Sequence, residues 1–374
     1  MKRSVPVNTP VFNGNEKKYL LDCIETGWVS AEGTYVKQFE NDVAKYVGRK
    51  FGIAVSNGTA ALEAAMIGLN IEKGSDVLMP DFTIISCAQA ITKAGLNPIP
   101  IDCDKNTWNM DVKLLEEKIT SRTRAIMIVH IYGLPVDMDY VLSFARKYNL
   151  LVIEDAAEAH GLTYRGKKCG SFGDVSIFSF YSNKHIVCGE GGMVLTDNEE
   201  IAERVLGARN LFFDKERRYI HEEIGSNFRM TNMQAAIGVA QLEQIDKTIK
   251  KKRHIGEIYR KGLKNIEGLQ LPIENTPDAD NIYWVYGIVV HRNGFTADSV
   301  MKKLSEYGIG TRHFFYPIHK QPALLNAGYF KNADESEFCN SNYICENGFY
   351  LPSGLGLTDT DQEYVIDILK GVLS

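Results

Sequence analysis

The sequence predicts an α/β protein in which a large domain with a mostly parallel central sheet is followed by a smaller C-terminal α+β domain. Three observations carry this expectation. From about residue 51, strand-sized apolar runs alternate with stretches of helical periodicity, the pattern of a sheet covered on both faces. The 374-residue length exceeds the size at which a single core usually stops growing. Around residues 262–280 the periodicity fades and turn formers collect, which divides the chain into 1–265 and 266–374.

Taken in order, residues 51–55 read as a strand and 59–69 as a helix rich in Ala, Leu and Met. A strand at 76–80, a helix at 86–93 and a strand at 98–101 follow. Strands at 124–129 and 150–154 flank an amphipathic stretch at 138–147, and two more strands, 175–180 and 192–196, come close behind. Helical patterns at 199–208 and 231–250 lead away from the sheet. Beyond the boundary lie a strand at 283–290, a helix at 296–307 and a helix near the C-terminus.

Composition narrows the function. Hydrophobic residues make up 44% and charged residues 24%, an ordinary globular balance. A net charge of -5 offers no strong field for nucleic acid or an anionic membrane. The basic run Lys250-Lys251-Lys252-Arg253 is most simply the solvated face of a helix. The seven cysteines are scattered without C-x-x-C spacing, which argues against zinc and against a disulfide framework, and no metal is expected. No apolar run approaches the roughly 18 residues of a membrane span, and no h-region follows Met1. A reduced, cytoplasmic protein is expected.

Three segments can carry chemistry. Ser56-Asn57-Gly58-Thr59-Ala60 follows a strand and opens a helix, where outward amides and the dipole suit an anion. Alone it reads more simply as a helix cap, and it lacks both the G-x-G-x-x-G and the G-K-[ST] patterns. In the segment 151–160, an apolar strand runs into Glu154 and Asp155 at its C-terminal end, where open sheets place ligands. A carboxylate there needs a partner, whether a metal, a basic side chain or a protonated ring nitrogen. In the segment 178–193, a short loop between apolar strands holds Lys184 among aromatic residues and glycines. Partial desolvation would lower its pKa and free the amine to attack a carbonyl. A phosphate site, an acid for a pyridinium and a carbonyl-reactive lysine are together what pyridoxal 5'-phosphate (PLP) requires.

At these residues the chain resembles the DegT/DnrJ/EryC1/StrS family of sugar aminotransferases, which have the fold-type I PLP architecture. The likeness runs from Gly27-Trp28-Val29-Ser30 through Ser-Asn-Gly-Thr, Glu-Asp-Ala-Ala-Glu-Ala-His-Gly, Phe-Ser-Phe-Tyr-Ser-Asn-Lys and Gly-Glu-Gly-Gly-Met to Asn227-Phe228-Arg229-Met230. The resemblance implies that Lys184 bonds to the cofactor and later carries the proton, that Asp155 pairs with the pyridine nitrogen, and that Glu158 sits near the ring hydroxyl. It also implies that Gly58, Thr59 and Ser179 hold the phosphate, with Asn227 reaching in from the partner of a homodimer whose site is composite. Trp28, His160, Arg312, Tyr316 and His319 are candidates for the sugar-nucleotide channel. Where the family often stacks an aromatic on the ring, this chain has Ile84, with Phe82 two residues earlier. The implied reaction passes through pyridoxamine 5'-phosphate. It moves an amino group from L-glutamate to C4 of a nucleotide-linked 4-keto-6-deoxyhexose, for glycan or O-antigen sugars. The same chemistry on a UDP-, dTDP- or 3-keto sugar, a PLP-dependent sugar 3-dehydratase, and a non-catalytic sensor are the alternatives. Relatives that dehydrate carry histidine in place of the lysine, and here Lys184 is retained with His185 after it.

Overall fold

The computed structural model describes residues 3–374 apart from 215 and 218. Two helices, α1 (Glu16–Glu25) and α2 (Thr34–Val47), precede the first strand. The strand–helix alternation gives no sign of either. Yet α2 buries Val36, Phe39, Val43 and Val47, an apolar stripe at helical spacing.

The alternating part follows its expected course, with ends shifted by a residue or two. It comprises β1 (Phe51–Val55), α3 (Gly58–Leu69), β2 (Asp76–Pro80), α4 (Ser86–Lys93), β3 (Asn97–Ile101), β4 (Thr123–Val129), α5 (Met138–Tyr148), β5 (Leu151–Asp155), β6 (Val175–Ser179), β7 (Gly192–Thr196) and α6 (Glu199–Arg209). The seven strands form one sheet in the order β1-β7-β6-β5-β4-β2-β3. All pairings from β2 to β6 are parallel, while β7 runs antiparallel to both β1 and β6. Alternate residues feed separate cores. Ala54, Leu78, Ile126 and Val152 face one, and Ile53, Val77, Ala125 and Ile153 the other. Helices on both faces therefore explain why the strands read as nearly continuous apolar runs.

The expected single helix over 231–250 is two helices, α7 (Asn232–Leu242) and α8 (Ile245–Leu263). Their junction is bound to the N-terminal segment. Gln241 donates to the Val11 carbonyl (3.0 Å) and to Glu16, while Glu243 accepts from Asn15 and Tyr19. Such tertiary bonds override helix propensity. Nor is the basic run 250–253 wholly solvated, because Lys252 on α8 is only 4% exposed.

The C-terminal lobe holds β8 (Leu269–Gln270), β9 (Tyr286–Val290), α9 (Ala297–Glu306), β10 (Arg312–His313), β11 (Gly348–Leu351) and α10 (Asp359–Leu373). Its antiparallel sheet has the order β8-β9-β11-β10. Val5 pairs with Ile309 and joins this lobe's core, so the opening residues cross the division at 265/266, which we keep as a proposal.

Candidate active site

A cleft of about 700 Å³ opens where the C-terminal ends of β4, β5 and β6 meet the C-terminal lobe. It is lined by Gly58, Thr59, Ile84, Asp155, Glu158, Ser179, Lys184 and Arg312, among others. The sequence reading therefore converges here from five separate stretches of chain, at the sheet edge where open α/β folds place ligands.

Each group is held by local structure. The Asn57 side chain caps α3 by accepting from the Ala60 amide (2.8 Å), which leaves Gly58 and Thr59 in the first turn beside the cleft. The hydroxyls of Thr59 and Ser86 lie 2.9 Å apart. Gly58 is pressed against β6 so closely that a Cβ there would sit 2.7 Å from the Ser179 Cβ. Only glycine allows this approach. The result is a small concave seat of first-turn amides and hydroxyls, shaped for an anion.

Asp155 ends β5. Its Oδ1 accepts from the Ala157 amide (3.0 Å), and the Cys87 thiol lies 3.4 Å from Oδ2. Burial pushes its pKa up, against the amide bond and the charge of Lys184. The preceding Glu154 faces the core instead. Its oxygens accept from Gly170 (2.6 Å), Phe172 (2.7 Å) and His130 Nε2 (2.9 Å). His130 Nδ1 accepts from the Val136 amide, so the ring proton lies on Nε2. Two adjacent acids thus have opposite duties, one locking the sheet and one facing the cleft.

Lys184 lies in the loop between β6 and β7, its side chain 10% exposed. Its Nζ is 3.7 Å from Glu158 Oε1 and 3.8 Å from the centre of the Trp284 ring. Burial holds the amine below its ordinary range, and burial raises the Glu158 carboxyl to about 7. Glu158 is fixed by the Tyr132 amide, which donates to Oε2 at 2.8 Å. A desolvated amine with its pKa lowered, beside a carboxyl with its pKa raised, is suited to accepting and returning a proton.

Ile84 reaches the cleft and is 44% exposed, whereas Phe82 is fully buried against Tyr132, Phe314 and Phe315. Of the two, it is Ile84 that lines the cleft. Four of the five candidates for the sugar channel do not line the described cleft. His160 is buried, stacked on Phe180, and burial lowers its pKa to about 3. His319 is buried in a bond between its Nδ1 and Asp81 (2.8 Å) that ties the C-terminal lobe to the end of β2. Trp28 and Tyr316 are exposed, at 54% and 48%. Asn227 pairs with Asn210, and it is its neighbour Phe228 that lines the cleft. Conversely, sequence reasoning passes over Trp284 and Tyr350, which together with Phe315 wall the cleft from the C-terminal lobe.

Three comparisons bear on this geometry. The model of the DegT/DnrJ/EryC1/StrS aminotransferase family matches residues 11–370. The GDP-perosamine synthase of Escherichia coli O157:H7 is 42% identical over 366 residues, covering 98% of each chain. That of Caulobacter vibrioides is 39% identical over 370 residues, covering 99% of this chain and 98% of its own. Among solved structures, Streptomyces venezuelae DesV in complex with a ketimine intermediate superposes with a TM-score of 0.89 at 30% identity, over 96% of this chain and 94% of its own.

Proposed function

Because this chain belongs to the DegT/DnrJ/EryC1/StrS aminotransferase family, we propose that it moves the amino group of L-glutamate to C4 of a GDP-linked 4-keto-6-deoxyhexose, as a GDP-perosamine synthase does. It is a PLP-dependent aminotransferase of glycan-sugar biosynthesis. The GDP-linked acceptor is supported by relatives of that name at 39–42% identity along essentially the whole chain. No comparable support favours the dehydratase or the sensor.

The residues fit the cofactor. The anion seat accepts a Cβ-free approach only, and Asp155 offers a carboxylate whose one strong donor is a backbone amide. When bound, PLP supplies a carbonyl carbon that carries the amino group and a protonated ring that withdraws electrons. Gly58, Thr59 and Ser179 would hold its phosphate, Asp155 the proton on its ring nitrogen, and Glu158 its ring hydroxyl. Ile84 would lie along one face. Lys184 Nζ would take a proton from the donor's α-carbon and deliver one to C4 of the sugar. Arg312, which lines the cleft from β10, would meet an anionic substrate group.

The reading extends to assembly. Phe12, Leu21, Ile24, Trp28 and Ile224 are apolar and 48–98% exposed. These side chains are available to a partner, and the proposal includes a homodimer in which Asn227 would reach the partner's cofactor. A cytoplasmic location is part of the same proposal; no helix among the described residues is long and apolar enough to cross a membrane.

The observation that carries the proposal is the meeting of the Gly58–Ser179 seat, Asp155 and Lys184 in one cleft. Absorbance spectroscopy tests it. Glutamate should bleach the Lys184-bound cofactor band, and only the true acceptor should restore it from a panel of GDP-, UDP- and dTDP-4-keto-6-deoxy sugars. Restoration by a UDP or dTDP sugar, and not by GDP, would overturn the assignment.

A further inference from the structure

Lys252 belongs to a run that composition assigns to solvent, yet it is nearly as buried as any residue in the core. Its Nζ donates to the carbonyls of Trp284 (2.9 Å) and Ser353 (2.5 Å). Both acceptors belong to the C-terminal lobe. Trp284 precedes β9 and Ser353 follows β11, and the Ser353 hydroxyl accepts from the Tyr286 amide at 3.2 Å. The ion pairs of α8 nearby use other side chains, with Lys251 and His254 both on Asp359. Across from Lys252 lies the buried imidazole of His185, which burial and the charge of Lys252 keep neutral. Among the described residues no carboxylate pairs with Lys252. A buried amine whose only partners are carbonyls is costly to keep charged.

What the clasp holds is the wall behind the reactive amine. The Trp284 indole lies against Lys184 Nζ, and three anchors fix it. Its Nε1 donates to the Asn183 carbonyl (2.9 Å), its amide donates to Tyr132 (3.0 Å), and its carbonyl is held by Lys252. An aromatic face favours the protonated form of an amine lying on it.

We propose that Lys252 is a positioning residue for the reaction: by holding Trp284 and Ser353 it presses the indole against Lys184 and sets how readily that nitrogen keeps its proton. The proposal rests on the aminotransferase reading. A wild-type protein that shows no cofactor band and no response to glutamate would sink that reading first, separately from this one.

The test is a double-mutant cycle on the holoenzyme with Lys252→Met, which keeps the apolar stem and removes the donors, and Trp284→Phe. Lys252→Met should lower kcat about tenfold with little change in either KM, as loss of positioning does. The pH midpoint of the Lys184-bound cofactor absorbance should fall by about half a unit, as expected when a cation–π contact loosens. In the Trp284→Phe background, Lys252→Met should add less than about a twofold change, because one residue acts through the other. An unchanged midpoint in Lys252→Met, or an undiminished effect of it beside Trp284→Phe, would overturn the proposal. If Lys252→Met fails to fold, Trp284→Phe alone decides. It must shift the midpoint downward, and a midpoint that stays in place ends the idea.

Discussion

Lys184 and Lys252 are both buried amines, and burial lowers the pKa of each, to about 7 for Lys252. Their surroundings differ. Lys184 opens on a cleft and faces the carboxyl of Glu158, so its proton has somewhere to go. Lys252 faces two carbonyls, which can only accept, so its hydrogens are held in place. Burial alone does not make a lysine reactive. A proton acceptor and room for a ligand do.

The largest expected effect tests the reactive side of that contrast. Lys184→Ala should lower turnover by at least the roughly 10²–10⁴-fold that a positioned acid–base group contributes. The cofactor should still bind without a covalent link, visible as a shifted absorbance band. Near-normal turnover in this variant would erase the difference between the two lysines.

A smaller loss is expected for Asp155→Asn, which keeps the shape and removes the charge that holds the ring nitrogen's proton. Turnover should fall by about 10²-fold, with the apoprotein's thermal stability preserved or raised, because a buried carboxylate held by few donors is replaced by a neutral amide. Full activity would remove Asp155 from the site.

The smallest effect sharpens the structural side. The folded pKa of Lys252 lies below its unfolded value, so the associated stability is present above about pH 10 and is lost as pH falls through about 7. The thermal stability of the wild type relative to Lys252→Met should therefore improve between pH 7 and 10, by on the order of a few kcal/mol at most. A wild type that gains no stability relative to Lys252→Met over this range would mean that Lys252 is not desolvated.

The central sheet was legible because each strand is short, apolar and bounded, and burial on both faces leaves a strong local signal. The antiparallel β7 still fits that signal, since direction leaves no mark on composition. The three cleft segments could be read because each pairs a strand end with an unusual side chain. The wall from the C-terminal lobe could not. Trp284 and Tyr350 look like ordinary strand aromatics, and only a contact across some hundred residues brings Trp284 to Lys184. For the same reason, nothing local separates Lys252 from Lys251, which does reach the surface and pairs with Asp359. The helices α1 and α2 carry an amphipathic pattern that precedes the sheet, and the alternation that reveals the rest begins after them.

The glycines at the anion seat set one more limit. A methyl group at 58 would strike Ser179, and one at 192 would come within 2.4 Å of the Asn57 carbonyl. The half of the cleft built on the sheet therefore has no slack in which to try variants. Diversification of this molecule toward other sugars must run through the opposite half, where exposed Arg312 and half-buried Phe315 line the cleft from the C-terminal lobe.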